Sequence, residues 1–249
     1  MDQAADPDFL ADFTAALDWW REAGVDCDFF DQPRTWLSRS ETQTEEHPAP
    51  ARRASREQEE TAAPLARIDR ASLPQDLAAF ASWWLDEPLL DDGGLGERIP
   101  PRGPAGAKLM IVIEEPEPQD REKLLTGPQG RLLDAMLSAA GIGRDGVYLA
   151  SALPRHTPAA NWSALAERGI GQILAHHVSL VAPERLIVFG GNTLSLLGHE
   201  SPQRAAVPSQ HNQEGQAVPM LACWGLLALL KQPRAKLAWW KAWLEWTAC

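Results

Sequence analysis

The sequence predicts an α/β protein: a three-layer αβα domain built on a short, mostly parallel four-stranded sheet, with additional N-terminal helices. From about residue 107 onward, short apolar segments alternate with longer amphipathic ones, a pattern typical of strands separated by helices. Each short segment is apolar along its whole length, as expected of parallel strands that helices cover on both faces. The predicted strands are 108–113, 146–153, 185–190 and 217–223.

Helix signals precede and separate these strands. Residues 7–23 begin with a proline and repeat apolar residues at helical spacing, which predicts an amphipathic helix. In the closing segment, Trp239, Trp243 and Trp246 form one helical stripe, which indicates core packing rather than base stacking. The remaining predicted helices are 73–85 with Ser72 as a cap, 130–141, 161–181, 192–198 and 234–246.

Composition divides the chain into three parts. Residues 1–37 are predicted to be an N-terminal helical segment, and residues 67–249 the α/β domain with its leading helix. Between them, 38–66 has almost no large apolar side chain and is rich in Glu, Arg, Ser and Pro. Such a segment cannot bury enough surface to offset its ordering entropy, so we expect a disordered acidic linker.

The charge is unevenly distributed along the chain. Residues 1–104 carry 10 basic and 22 acidic residues, whereas residues 105–249 carry 13 basic and 12 acidic ones. Because a phosphate backbone attracts cations, this distribution predicts at most weak DNA binding and leaves a protein partner as an alternative.

The use of cysteine and the distribution of apolar residues indicate a cytoplasmic protein. Cys27, Cys223 and Cys249 are far apart and show no C-x-x-C spacing, which disfavours a metal cluster or a disulfide framework and suits the cytoplasm. The first residues lack the charged and apolar regions of a signal peptide, and no run of 18 apolar residues predicts a membrane span. His176 and His177 are adjacent in a predicted helix and point in different directions, so we expect no metal site there.

Ligands of parallel α/β sheets bind at the carboxyl ends of the strands, and several motifs in this chain overlap or flank the predicted strands. The motifs include I-E-E-P-E at 113–117, G-I-G-R-D-G-V-Y at 141–148, A-P-E-R-L-I-V-F-G at 182–190 and L-L-K-Q-P at 229–233. In order and spacing they resemble the uracil-DNA glycosylase superfamily over about residues 105–249, closest to its iron–sulfur bacterial branch. The resemblance implies a glycosylase-like fold with a base-binding pocket, whose matching positions include Glu114 and Pro116.

Three further pocket positions depart from the family pattern. The resemblance implies a base-stacking Phe at Leu125, an Asn that reads the base edge at Ser151, and a His that stabilises the departing base at Gly225. The family's cluster cysteines would fall near Phe80 and Trp83 and at Arg155 and Ile170. Since none of these is Cys, no iron–sulfur cluster or other cofactor is expected.

Glu115 is the candidate catalytic carboxylate. It falls where the non-cluster branch of the family has an Asp that assists the attacking water, and a carboxylate there could act as a general base. The alternative is that Glu115 belongs to a solvated run of acidic residues. His156 or His211 could replace the missing histidine, although a loop histidine is more often solvated.

Two functions therefore compete. The first is a degenerate glycosylase-like protein without ordinary uracil excision, acting as a binding or accessory module. The second is a divergent DNA glycosylase or nucleobase N-glycosidic hydrolase of base excision repair, which needs Glu115, Ser151 and a histidine in one cleft. A tight pocket lined by Glu115 and a histidine favours the second, and a filled cleft favours the first. An unrelated nucleotide-binding α/β protein is disfavoured because no G-x-x-x-x-G-K-[ST] or G-x-G-x-x-G motif is present.

Overall fold

A computed structural model gives the architecture. The chain divides into two units, Met1–Glu60 and Thr61–Cys249. Most of the predicted helix 7–23, together with 24–37 and the predicted linker 38–66, lies outside the described residues. Those that the structure describes are 14–15, 18–19, 72–90, 93–213 and 216–248.

A mixed sheet forms the middle layer, in the order β2-β1-β3-β5-β4. The pairs β1–β2, β1–β3 and β3–β5 are parallel, whereas β4 and β5 are antiparallel. The prediction of a mostly parallel sheet is confirmed, but the predicted count of four strands is wrong, because there are five. The strands are β1 Leu109–Ile113, β2 Val147–Ser151, β3 Leu186–Phe189, β4 Ala206–Gln213 and β5 Gln216–Cys223.

The additional strand is β4, and it lies in a segment whose polar sequence predicts a loop. It lies at the edge of the sheet and includes the exposed Pro208 opposite Leu221 of β5. An edge strand tolerates proline and alternating polar side chains because one side of its backbone lacks a neighbouring strand. The continuous apolar runs that predict the parallel strands are therefore missing from β4, and the sequence does not predict this strand.

Helices cover both faces of the sheet, and two of them begin or end at residues other than those predicted. The predicted helix 161–181 is two helices, because Gly169 adopts a φ of +97° and ends the first of them. The helix predicted to begin at residue 130 begins at Pro128, since proline suits the first turn of a helix. The helices are α1 Leu77–Asp86, α2 Pro128–Ala139, α3 Trp162–Arg168, α4 Ile170–Val181, α5 Gly191–Leu196, α6 Leu226–Lys231 and α7 Pro233–Thr247.

Caps account for two further helix starts. Asn161 caps α3, because its side-chain oxygen accepts from the backbone N–H of Ala164 at 3.1 Å. For α1 the cap is Asp76 rather than the predicted Ser72: its Oδ1 accepts from the N–H of Ala79 at 2.8 Å.

The core consists of one apolar layer on each face of the sheet. On one face, α2, α6 and α7 pack against β1, β3 and β5, and the stripe of Trp239, Trp243 and Trp246 is buried there as predicted. On the other face, α4 and α5 cover Met110 and Val188. The chain therefore has the three αβα layers that the sequence predicts.

The leading helix α1 packs on α4 through aromatic contacts. The ring of Phe80 is fully buried and its centroid lies 4.2 Å from that of His177. The Nε2 of His177 is 2.9 Å from the hydroxyl oxygen of Tyr148. Burial lowers the pKa of His177 to about 3, so this histidine is neutral at physiological pH and serves the core.

No helix among the described residues is long and apolar enough to cross a membrane.

The contact between α1 and α4 yields a test of whether the leading helix is integral to the domain. Replacement of Phe80 by Ala should lower the free energy of unfolding by about 3–4 kcal/mol, because it leaves a cavity that the surroundings fill only in part. Leu85→Ala on the same helix is the control: that side chain is 37% exposed and should cost less than about 1 kcal/mol. Equal denaturant midpoints for the two variants would contradict the packing of α1.

Candidate functional site

A cavity of about 330 Å³ opens where β1 and β3 end. Its walls include five of the residues that the sequence predicts for the site: Glu114, Glu115, Pro116, His156 and Gly225. The cleft is therefore open rather than filled. Of the two functions that the sequence leaves open, an open cleft lined by Glu115 and His156 favours the divergent hydrolase. The other lining residues are Ile113, Glu117, Pro118, Gln119, Pro128, Gln129, Phe189, Leu226, Leu227 and Leu230.

Glu115 and His156 meet in this cavity. The Oε2 of Glu115 lies 3.4 Å from Nδ1 of His156 and accepts a short hydrogen bond from the backbone N–H of Thr157. The segment that carries His156 is anchored in turn, because the His156 carbonyl accepts from the N–H of Leu95 at 2.6 Å. A carboxylate this close to an imidazole can orient the ring.

Glu114 lies deeper than Glu115, over the backbone at the start of α5. Its Oε1 accepts from the N–H of Asn192 at 3.2 Å. Gly190 has a φ of +104°, and a Cβ there would lie 2.3 Å from Cδ of Glu114, so glycine leaves the space that this carboxyl group fills. Burial raises the pKa of Glu114, the nearby charge of Glu115 raises it further, and hydrogen bonding to Asn192 opposes both.

Glu117 has a structural role. Its side chain is buried, and its Oε2 accepts from the N–H groups of Gly127 at 3.0 Å and Gly130 at 3.1 Å. Its Oε1 accepts from the N–H of Gln129 at 2.9 Å. These amides belong to the first turn of α2, where the helix dipole favours an anion. The carboxylate of Glu117 thus caps α2 instead of extending a solvated acidic run.

Asp120 fixes the loop between Glu117 and α2. Its Oδ2 accepts from the N–H groups of Glu117 at 2.9 Å and Leu125 at 2.8 Å. Its Oδ1 accepts from both the N–H and the hydroxyl of Thr126, at 2.8 and 2.6 Å. These seven hydrogen bonds to two buried carboxylates therefore define one wall of the cavity.

Three predicted site residues do not line this cavity. Leu125 is buried with a φ of +60° and borders a separate cavity of about 690 Å³. Ser151 is 1% exposed, and its hydroxyl donates to the Leu153 carbonyl at 2.6 Å. His211 lies in β4, where its Nδ1 is 3.4 Å from Nε2 of His199. Of the two candidate histidines, His156 is therefore the one beside Glu115.

Several lining residues escaped sequence reasoning. Phe189 ends β3 and supplies an aromatic wall, but within an apolar strand it is indistinguishable from a core residue. Gln129 lies in the first turn of α2, directly after Pro128. That proline is a signal for the start of the helix, and the start of this helix lies at the cavity. The capping role of Glu117 depends on a contact ten residues along the chain, which local capping rules do not reach.

The four positions that resemblance assigns to cluster cysteines do not fit an iron–sulfur cluster. Phe80 and Ile170 are buried in one apolar cluster, with Trp83 packed against it. None of these side chains, nor Arg155, offers the thiolate that such a cluster needs.

Comparison with models of protein families gives a match. A family model described as the uracil DNA glycosylase superfamily matches residues 100–244, which include every strand and the whole cavity wall. No curated protein matches the chain.

The cap on α2 can be tested by removing its charge. We expect Glu117→Gln to lower the free energy of unfolding by about 2–3 kcal/mol, because one oxygen becomes an NH₂ group facing backbone donors. The matched control is Glu122→Gln in the same loop, where the side chain is exposed and the cost should be near zero. If denaturant titration gave both variants the wild-type stability, Glu117 would not be the cap.

Glu114 predicts a pH dependence of stability. Its raised pKa means that the folded protein holds this proton more tightly than the unfolded chain does. The resulting stabilisation is present below the ordinary glutamate pKa and is lost as pH rises through the raised value. Glu114→Gln should therefore melt about 2 °C above the wild type at pH 8, with the difference shrinking toward pH 4. A variant that is less stable than the wild type at pH 8 would contradict this assignment.

Proposed function

We infer that this chain, which belongs to the uracil-DNA glycosylase superfamily, has lost ordinary uracil excision and acts as a binding or accessory module. The observation that carries this inference is the state of Ser151, the position that resemblance assigns to the base-reading amide. Its hydroxyl is buried and bonded to the Leu153 carbonyl, outside the cavity. The position that resemblance assigns to reading the base edge therefore contributes no side chain to the cavity.

Two further positions point the same way. Gly225 offers no side chain to stabilise a departing base, and Leu125 lies outside the cavity. Excision requires the base to be extruded into a fitted pocket, and loss of one electrostatic donor typically costs roughly 100- to 1000-fold in rate. The base-stacking ring, the amide that reads the base edge and the donor for the departing base are therefore all missing from the described residues that line the cavity. Their absence supports a protein that binds a ligand without cleaving uracil from DNA.

The size and the charge of the cavity are consistent with binding of a small ligand. Its volume of about 330 Å³ is enough for one nucleobase. The carboxylates on its rim disfavour a tightly held phosphate backbone, so DNA contact would be weak and a protein partner is the stronger expectation. We place this module in the cytoplasm, in a DNA-repair setting, as the family membership and the cysteine usage suggest.

The pairing of Glu115 with His156 favours a second candidate function, a divergent N-glycosidic hydrolase. In that reaction the carboxylate of Glu115 accepts a proton from water, and the water oxygen bonds to the sugar carbon as the N-glycosidic bond breaks. The base leaves with the bonding electron pair and takes a proton from the His156 imidazolium. Of the three groups that the sequence predicts this function to need in one cleft, Ser151 lies outside the cavity, so this form of the reaction uses only Glu115 and His156.

An excision assay separates the two functions. Purified protein is incubated with single- and double-stranded DNA carrying uracil, hypoxanthine or xanthine. We expect no release of uracil above the spontaneous rate, at least about 1000-fold below an active family member. Uracil release by the wild type that disappears in Glu115→Gln would contradict the proposed loss of excision.

Release of hypoxanthine or xanthine would support the divergent hydrolase, provided that it depends on the Glu115–His156 pair. Both Glu115→Gln and His156→Gln should then reduce the rate by about 100-fold or more. Glu122→Gln is the control for trace contamination and for nonspecific effects of charge, because it changes an exposed carboxylate. Activity that survives Glu115→Gln would exclude that mechanism.

A further inference from the structure

We propose that the cavity selects a flat heteroaromatic ring that carries a positive charge or amino donors, in preference to neutral uracil. Glu114 and Glu115 would form the recognising wall. This inference rests on the proposed function only in taking the cavity as the ligand site; it holds whether the ligand is bound or cleaved.

The polar side chains of the cavity are strongly biased toward acceptors. Glu114 and Glu115 both line it, and an ionised carboxylate can only accept hydrogen bonds. Among its described lining residues none is Lys or Arg, and His156 already lies beside the Glu115 carboxylate. One oxygen of each carboxylate already accepts from a backbone N–H, that of Asn192 for Glu114 and that of Thr157 for Glu115. A ligand rich in donors would bind the remaining oxygens and lone pairs, whereas uracil offers two carbonyl oxygens and only its N3–H as a donor.

Glu117 contributes little to this bias although it lines the same cavity. Its two oxygens accept from three N–H groups in the first turn of α2, which offset its charge locally. Recognition would therefore fall on Glu114 and Glu115, which lie side by side at the end of β1.

The apolar lining suits a planar ring. Phe189 ends β3, while Leu226 and Leu230 come from α6 and Pro116 from the loop after β1. Aromatic and aliphatic walls with a few convergent polar groups are typical of sites for small ligands. Next to a ring face, a cationic heterocycle also gains from the quadrupole of the phenyl group.

The geometry at Gly225 supplies an independent reason. Resemblance assigns this position to a histidine that stabilises negative charge on the departing base. Here a Cβ on Gly225 would lie 3.6 Å from Oε2 of Glu114, so a carboxylate approaches the place where that donor would begin. An acidic group there opposes an anionic base and favours a cationic one.

Two methylated nucleosides of nearly equal shape provide the probe. 3-Methylcytidine is a cation with an amino donor, and 3-methyluridine is its neutral counterpart with a carbonyl oxygen. Titration calorimetry on the full chain should show at least about tenfold tighter binding of 3-methylcytidine, the range expected for one charge-assisted hydrogen bond.

Substitution of the carboxylates tests their role in this preference. Glu114→Gln and Glu115→Gln should each weaken binding of 3-methylcytidine by about tenfold and leave binding of 3-methyluridine unchanged or stronger. Glu184→Gln is the matched control, because its exposed carboxylate lies at the opposite end of β3 and should leave both affinities unaltered. Thermal melting of each variant confirms that it is folded.

Equal affinity for the two nucleosides, tighter binding of 3-methyluridine, or no binding of either would overturn the proposal. So would a preference for the cation that persists in the double variant of Glu114 and Glu115. Uracil excision by the wild type would instead sink the proposed function. The two failures are therefore distinguishable, because one is read from nucleoside affinity and the other from base release.

Discussion

The candidate site depends on the burial of two carboxylates, Glu117 and Asp120, against backbone amides. A buried carboxylate without partners would cost several kcal/mol, so the chain between residues 117 and 130 can adopt its path only where the N–H groups converge on these oxygens. Glu117 joins the loop to the start of α2, and Asp120 closes it around Leu125 and Thr126. One wall of the cavity is thus held by carboxylates whose oxygens accept hydrogen bonds from backbone amides. Glu114 and Glu115 also line the cavity.

Under the proposed function, this chain keeps the family's fold without the family's excision chemistry. The sheet keeps its parallel core and the cavity keeps its place at the ends of β1 and β3, as expected where site residues vary on a stable scaffold. Resemblance assigns the reading and release of uracil to three positions. Of these, Leu125 and Ser151 lie outside the cavity, and Gly225 lines it without a side chain. The acidic side chains that line the cavity are Glu114, Glu115 and Glu117.

Sequence reasoning reached the layers of the fold because parallel strands and their covering helices leave strong apolar periodicities. It missed β4, since an edge strand carrying Pro208 lacks that signal, and it merged α3 with α4 because Gly169 resembles a tolerated helix glycine. At the site, it predicted Glu114 and Glu115 from the resemblance of 113–117 to a motif of the family. It could not predict that Glu117 caps α2 or that Phe189 faces the cavity, because both depend on contacts between distant segments.

Amide hydrogen exchange of the loop tests the central claim most directly. The account predicts that the N–H groups of Glu117, Leu125, Thr126, Gly127 and Gly130 exchange at least about 1000-fold more slowly than in an unstructured peptide, because each donates to a buried carboxylate. Their protection should be lost together in Asp120→Asn, while the amides of β1 remain protected. Exchange of these loop amides at the rate of unstructured peptide in the wild type would contradict the account, since the cavity wall would then have no fixed form.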